Sequence, residues 1–448
     1  MWYLAYNLLL ILASPLMLLV LLAKKRCRRG LPQRLGFLPV GFPGQDRPVL
    51  WVHAVSLGEA VAVAPLIREL HHRHPEYRIV VSTVTETGRE AVEQRLAGIA
   101  VHCYAPLDFP WVVSKVVARL KPRIFLFVET ELWPNLLRML AQRGVPAILV
   151  NGRLSSRSFE RYRLVRPFMA RVLGNVALCL AQSGRDAERL AALGAPPDRV
   201  IRTGSIKFDQ PEPARRLDRA ALGLAEGEEL IVAGSTHQGE EEAILAGYER
   251  LLREFPRLVL MLAPRHIERS GAVEAMVTQN GFKAVRRSRL APDGSGDNPS
   301  GPRVIVLDTR GELAEVYRYA VLSFVGGTLV PVGGHNLLEP AVWGKPVFFG
   351  PHTDHCAEVA ALLLEAGGGI QVRDGAGLGV AMMRLLKDRS ALRTAGTAAQ
   401  QVIADNRGAV QRSLEYIGAY VRGRSHGQAS QERSGVAPQP VPLGKLPR

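Results

Sequence analysis

SFVGGTLVPVGGHNLLEPAVWGKPVFFGP, residues 323–351, decides how this chain is read. An apolar strand over 322–325 runs into Gly326, Gly327, Gly333 and Gly334. His335, Asn336 and Glu339 follow, then a short helix and a second strand over 346–349. Glycine admits positive φ and lets a ligand approach the backbone closely. A helix opening there, with Pro340 in its first turn, offers N–H groups to an anion. Glu339 is suited to accept from ribose hydroxyls, as carboxylates do in dinucleotide folds. The stretch reads as a nucleotide site; the plainer reading is a glycine-rich connection that binds nothing.

Working outward, the same alternation fills most of the chain. Apolar runs at 49–55, 78–85, 123–129, 146–153 and 176–183 precede helical patterns. After a polar, proline-bearing segment the alternation restarts at 229–235, 257–264, 303–309, 320–327 and 345–350. Continuous apolar strands alternating with helices imply parallel sheets covered on both faces. The expected architecture is α/β: two doubly wound Rossmann-like domains facing a cleft. The expected boundaries are 48–207 for an acceptor-binding domain, 208–218 for a linker and 219–421 for a nucleotide-sugar domain. A loop is expected over 291–301, and the Gly-, Ser-, Gln- and Pro-rich 422–448 reads as a disordered tail.

Residues 2–23 carry no charged side chain, and Lys24, Lys25, Arg26, Arg28 and Arg29 follow at once. About 22 residues at 1.5 Å each span roughly 33 Å, enough for a bilayer core. Basic residues on the C-terminal side place that side in the cytoplasm. The expectation is a single-pass inner-membrane anchor (1–23) with a basic juxtamembrane linker (24–47); partial insertion is the alternative that Pro15 keeps open. The net charge of +16 points to an acidic partner such as anionic lipid or a phosphorylated substrate. No nucleic-acid-binding pattern occurs, so nucleic acid is not expected as a partner. Four scattered cysteines without a CxxC suit a reducing compartment.

In doubly wound sheets ligands sit beyond the carboxyl ends of the strands. That rule selects residues 53–59, 83–87, 129–135 and 151–153 in the first half. In the second half it selects 234–237, 264–266, 310–312 and the opening stretch. Neither half contains GxGxxG or GxxxxGK[ST], so the common dinucleotide and P-loop assignments lose support. Glu59, three residues after Ser56, either closes a capping box or serves as a general base. Glu129 and Glu131 before Pro134 are either helix N-terminal charges or site carboxylates. Arg265 and His266 either cap a strand end or meet a phosphate. Lys207 is a surface lysine or a cation directed at the site. His71, His72 and His74 lie on a helix end and turn with no acid or cysteine arranged with them as a ligand set, and no metal site is expected. Arg286, Arg287 and Arg289 read as a solvated basic face, usable against anionic lipid.

Taken together, HAVSLGE (53–59), VETELWPN (128–135), NGRLSSRS (151–158), TGSIKFD (203–209), APRH (263–266) and GGTLVPVGGHNLLEP (326–340) carry a resemblance. The chain resembles the 3-deoxy-D-manno-octulosonic acid (Kdo) transferases of lipopolysaccharide assembly. Two departures are visible. Leu337 stands where the family usually has Pro, and Arg310-Gly311-Glu312 stands where it has a Met-Gly-Glu-like triplet. The resemblance implies a GT-B glycosyltransferase that needs no cofactor, with CMP-Kdo as donor and the lipid A precursor lipid IVA as acceptor. It implies Glu59 as general base, with Glu129 and Lys207 supporting the transition state. Pro264, Arg265, Arg310, Gly311, Glu312, Asn336, Leu337, Leu338 and Glu339 would hold CMP. Inverting transfer without a metal is expected, because Arg265 and Lys207 can meet the leaving phosphate. The alternatives are another GT-B transferase using a UDP-sugar on a lipid acceptor, an epimerase on the same scaffold, and a membrane-tethered sensor.

Overall fold

The computed structural model describes residues 1–23, 29–42, 47–210, 217–290 and 301–422, without the side chains of 17, 18 and 20–23. Lys24, Lys25, Arg26, Arg28, Cys27, nearly all of the expected loop at 291–301 and the expected tail beyond 422 lie outside the described residues.

The chain divides into two units, one of Met1–Pro211 joined by the chain from Arg407, the other of Glu212–Asn406. The first contains β1 (Val49–His53), β2 (Arg78–Thr83), β3 (Ala100–Tyr104), β4 (Pro122–Val128), β5 (Ala147–Gly152), β6 (Leu178–Ala181) and β7 (Val200–Arg202). They form one seven-stranded sheet in the order β3-β2-β1-β4-β5-β6-β7. All of its strand pairs are parallel. The second unit contains β8 (Glu229–Thr236), β9 (Leu258–Pro264), β10 (Lys283–Arg286), β11 (Arg303–Val306), β12 (Ala320–Val325), β13 (Val347–Phe349) and β14 (Gly369–Gln371). Its order is β10-β11-β9-β8-β12-β13-β14, again parallel throughout.

Successive side chains of a strand point to opposite faces, and each sheet accordingly has a core on each side. Leu50 and Val52 of β1 enter one core while Val49 and Trp51 enter the other. Ile231 and Ala233 of β8 likewise oppose Leu230 and Val232. In both sheets the strand order reverses beside the first strand, between β1 and β4 and between β8 and β12. Such reversals open a crevice at the carboxyl ends, because the flanking connections depart in opposite directions.

The sequence expectation carries the second domain through residue 421, but the final helix packs elsewhere. Ala409, Val410, Leu414, Ile417 and Val421 of helix Ala409–Val421 join Leu50 and Val52 in the first unit's core. The Asp209 carboxylate accepts from the N–H groups of Gly408 (2.6 Å) and Val410 (2.5 Å). A residue expected in the linker therefore caps the returning helix, satisfying donors that its first turn leaves open.

Trp2–Ala23 forms one helix. Among the described residues, no helix is long and apolar enough to cross a membrane. The first two turns of Trp2–Ala23 are bonded to the first unit. Tyr6 donates to Asp108 (3.0 Å), Asn7 accepts from the Asn135 side chain (2.7 Å), and Tyr3 accepts from Asn175 (3.0 Å). Trp2, Tyr3 and Tyr6 gather around Phe168. Burial pushes Asp108 up to about 6, against the N–H groups of Asn135 and Leu136 that it accepts at 3.0 and 2.8 Å. Leu4, Leu8, Leu12, Leu16 and Leu19 lie along one exposed ridge, each at least 58% exposed.

Candidate functional site

In the first unit the candidate residues gather at the reversal between β1 and β4. Ser56 caps helix Leu57–Arg73 by accepting from the Glu59 N–H. Glu59 reaches back, accepting from the Val55 N–H (2.8 Å) and the Ser56 hydroxyl (2.9 Å). Cap and candidate base are thus one carboxylate, 8% exposed. Burial pushes Glu59 up to about 7; the two hydrogen bonds oppose the rise, and the charges of Glu129 and Glu131 add to it. Burial also raises Glu131, whose carboxylate accepts from the Trp133 indole at 2.9 Å. A carboxylate held near neutrality can take and return a proton at physiological pH.

Glu129 follows β4 at φ 57°, while its N–H continues the ladder to the Val150 carbonyl at 3.0 Å. That conformation costs about 1–2 kcal/mol for a side chain with a Cβ, and such residues gather at functional sites. Glu129 Oε1 meets Lys207 Nζ at 2.8 Å. Lys207 lies on the turn Ile206–Asp209, which Asn151 holds by accepting from the Ile206 N–H at 3.0 Å. Asn151 is fully buried and also left-handed, at φ 57°. The strand-end rule places Asn151 at the site, but its bond to the turn that carries Lys207 is invisible in sequence. Thr130 donates to the Arg153 carbonyl and ties the loops after β4 and β5.

In the second unit, Pro264, Arg265, Arg310 and Gly311 line a cavity of about 360 Å³, together with Ser235, His266, Thr309 and Leu313. Ser235, at φ 55°, is a third left-handed residue at a strand's carboxyl end. Glu312 is not part of that lining. It accepts from Thr309 (2.6 Å) and pairs with buried Arg287 (3.1 Å), bracing the turn that carries Arg310 and Gly311. Leu337 and Leu338 are buried at 1% and 6% exposure, so packing occupies their side chains. Asn336, just before the helix Leu338–Val342, accepts from the Leu338 N–H (3.1 Å), and its amide donates to Glu339 (3.2 Å).

Two expectations change here. In the glycine-rich turn, the N–H groups of Gly327, Thr328 and Leu329 already have an acceptor within the fold. Glu240, fully buried in the first turn of helix Glu240–Leu252, accepts from Gly327 (2.8 Å), Thr328 (3.1 Å), Leu329 (2.9 Å) and His237 (2.9 Å). Sequence reasoning missed Glu240 because Glu240, Glu241 and Glu242 together look like ordinary helix N-terminal charge. The basic run is also not a free face. Arg286 and Arg289 both pair with Glu274, at 2.7 and 3.1 Å, and Arg287 points inward to Glu312.

Comparison with known proteins agrees with this architecture. The family model described as 3-Deoxy-D-manno-octulosonic-acid transferase (kdotransferase) matches residues 29–210. A 3-deoxy-D-manno-octulosonic acid transferase of Haemophilus influenzae is 35% identical over 431 residues, 94% of this chain and 99% of the relative. One of Bordetella pertussis is 33% identical over 399 residues, 86% of this chain and 90% of that protein. Among solved structures, a UDP-GlcNAc 2-epimerase of Neisseria meningitidis bound to UDP-GlcNAc matches with a TM-score of 0.57 and 13% identity, over 83% of this chain and 99% of its own. That likeness is one of fold, two parallel-sheet α/β units of the kind found in GT-B glycosyltransferases. With full-length identity of this degree, the chain belongs to the 3-deoxy-D-manno-octulosonic acid transferase family and is a glycosyltransferase that transfers Kdo.

Proposed function

We propose that the chain transfers Kdo from CMP-Kdo to the lipid A precursor lipid IVA in lipopolysaccharide biosynthesis, with inversion and without a metal. The observation that carries this reading is Glu59, a buried carboxylate at the reversal of the first sheet, poised near neutral pH. An acceptor hydroxyl gives its proton to Glu59 as its oxygen bonds to the anomeric carbon of Kdo. The bond from that carbon to the CMP phosphate oxygen breaks, and CMP leaves with the electron pair. Attack opposite the leaving group inverts the anomeric centre. Glu129 and Lys207 form the neighbouring ion pair that supports developing charge. Arg265, which lines the cavity in the second unit, supplies a planar donor fork for the phosphate. The Arg310–Glu312 turn and residues 336–339 complete the CMP site in this proposal, the latter through backbone groups where leucine side chains are buried. The test is a transfer assay with CMP-Kdo and lipid IVA, with and without EDTA. Expected is full transfer in EDTA, with the number of sugars read from the product mass. Loss of transfer in EDTA that Mg²⁺ restores overturns the metal-independent step.

We also propose that the enzyme sits on the cytoplasmic face of the inner membrane. The exposed leucine ridge of Trp2–Ala23 would be its apolar contact, and the basic residues 24–29 its contact with anionic headgroups. The hydrogen bonds that tie Tyr6, Asn7 and Tyr3 to Asp108, Asn135 and Asn175 favour a helix lying along the membrane over one crossing it. Full burial of a leucine is worth about 1.5–3 kcal/mol. Leu8→Asp with Leu12→Asp is therefore expected to weaken binding to anionic vesicles at least ~10-fold. Unchanged sedimentation with vesicles would remove the ridge from the membrane contact.

A further inference from the structure

Two histidines to which the catalytic proposal gives no role meet at the reversal of the second sheet. His237 follows β8 and His335 lies in the loop after β12, the two strands that flank the reversal. Their Nε2 atoms are 2.8 Å apart and their rings are within 3° of parallel. At that separation one nitrogen donates and the other accepts, a need the pair can meet uncharged. The surroundings keep it so. His237 faces Glu240, Glu241, His266 and Arg269, and burial is the main cause that lowers its pKa. His335 faces Arg265, His237, His355 and His266, and burial, with these cations and rings, holds it down to about 4.

Neither nearby carboxylate is at liberty to take a proton from the pair. Glu240 is engaged by four backbone N–H groups. Glu241 accepts from Thr236 (3.0 Å) and is paired with Arg269 at 2.8 Å. The arrangement is also built to fit. A Cβ at Gly327, whose φ is 69°, would come within 3.0 Å of the His335 ring. The ring of His266, which lines the 360 Å³ cavity with Arg265, stands edge-on to His237 at 6.0 Å. The pair therefore adjoins the cavity at the place where a doubly wound sheet binds its ligand.

We propose that His237 and His335 form a proton-accepting phosphate site for the nucleotide donor. As the phosphate arrives, the pair takes one proton from solvent and the Nε2···Nε2 hydrogen bond opens. Each ring then has an Nε2–H to donate to a phosphate oxygen, and one positive charge has been added beside Arg265. The one bond made is the new N–H, at the expense of a solvent O–H; when CMP departs, the proton returns to solvent and the histidines close on each other. Empty, the pair satisfies its own buried nitrogens; occupied, it becomes a cationic cradle. This inference rests on reading the cavity as the CMP site.

The experiment is titration calorimetry of the full chain with CMP at pH 7.0, in two buffers of different ionisation enthalpy. Free CMP is mostly dianionic there, since a phosphate monoester's second pKa is about 6. Any proton it does carry would be released on binding to a cation, giving the opposite sign. Expected is an uptake of about 0.5–1 proton per CMP bound, none with cytidine, and none with CMP in His335→Asn or His237→Asn. The variants should still bind CMP, about tenfold more weakly, which corresponds to one lost charge-assisted hydrogen bond. CMP binding to wild type without buffer-dependent heat overturns the inference and leaves the CMP reading standing. Uptake that persists in both variants also overturns it, because another group then carries the proton. Binding of UDP in place of CMP would instead overturn the CMP reading itself.

Discussion

Glu59→Gln is expected to lower Kdo transfer by about 10²-fold or more, the range in which a positioned general base contributes. Gln is nearly isosteric and can still accept from the Val55 N–H, so the helix start survives while the proton acceptor is lost. In wild type the transfer rate should rise with pH and reach half its plateau near 7, where burial places Glu59. That limb should vanish in the variant. The stability consequence has the opposite sign. The folded-state value lies above the ordinary 4.5, so the stability tied to protonated Glu59 is present in full below that pH. It is lost as pH rises toward 7, and above that the folded protein carries an ionised buried carboxylate. Gln never ionises, so Glu59→Gln should unfold at or above the wild-type temperature at pH 8. Undiminished transfer would remove Glu59 as base. A lowered unfolding temperature at pH 8 would mean the carboxylate is chiefly a cap.

Glu240→Ala should cost the second unit on the order of 3–5 kcal/mol, as removal of one partner of a buried charged network does. The loss leaves four backbone donors, of His237, Gly327, Thr328 and Leu329, without their acceptor. Each unsatisfied buried donor costs about 1–3 kcal/mol. No other group can slide in cheaply, because the two loops already touch. A Cβ at Gly326 would lie 2.4 Å from the Ser235 carbonyl oxygen and 2.7 Å from Thr236 Cα. In a unit of this size 1 kcal/mol shifts the melting temperature about 2–4 °C, so the transition should fall by roughly 10 °C. Glu240→Gln should also destabilise, since its amide nitrogen would face N–H groups. Thermal unfolding of the full chain followed with and without CMP reads both effects. A shift of under about 2 °C for Glu240→Ala would mean the turn finds water or relaxes, and that Glu240 does not hold the site together.

The ten apolar runs of the sequence correspond to interior strands, and the four unforeseen strands are the edges. β3, β7, β10 and β14 close the two sheets at either end. An interior parallel strand is covered on both faces and must be apolar throughout; β1 and β9 are buried along their whole length. An edge strand is covered less, and β7 and β10 have no fully buried residue. Their sequences could therefore be polar enough to pass for loop. The same logic explains Arg287 and Asn151. Each is polar in sequence but buried because a specific partner, Glu312 or the Ile206 N–H, waits for it.

What the sequence by itself determined was the repeating strand-and-helix pattern, the family and the neighbourhood of the site. Those depend on local hydrophobic periodicity and on residues clustered within short motifs. Only the tertiary structure decided that Glu240 fills the glycine turn, that Glu129 is paired with Lys207, that the last helix returns to the first unit, and that His237 meets His335. Those contacts join residues between 78 and about 370 positions apart. Their partners are chosen by the order in which parallel strands assemble, and no local pattern along the chain records that order.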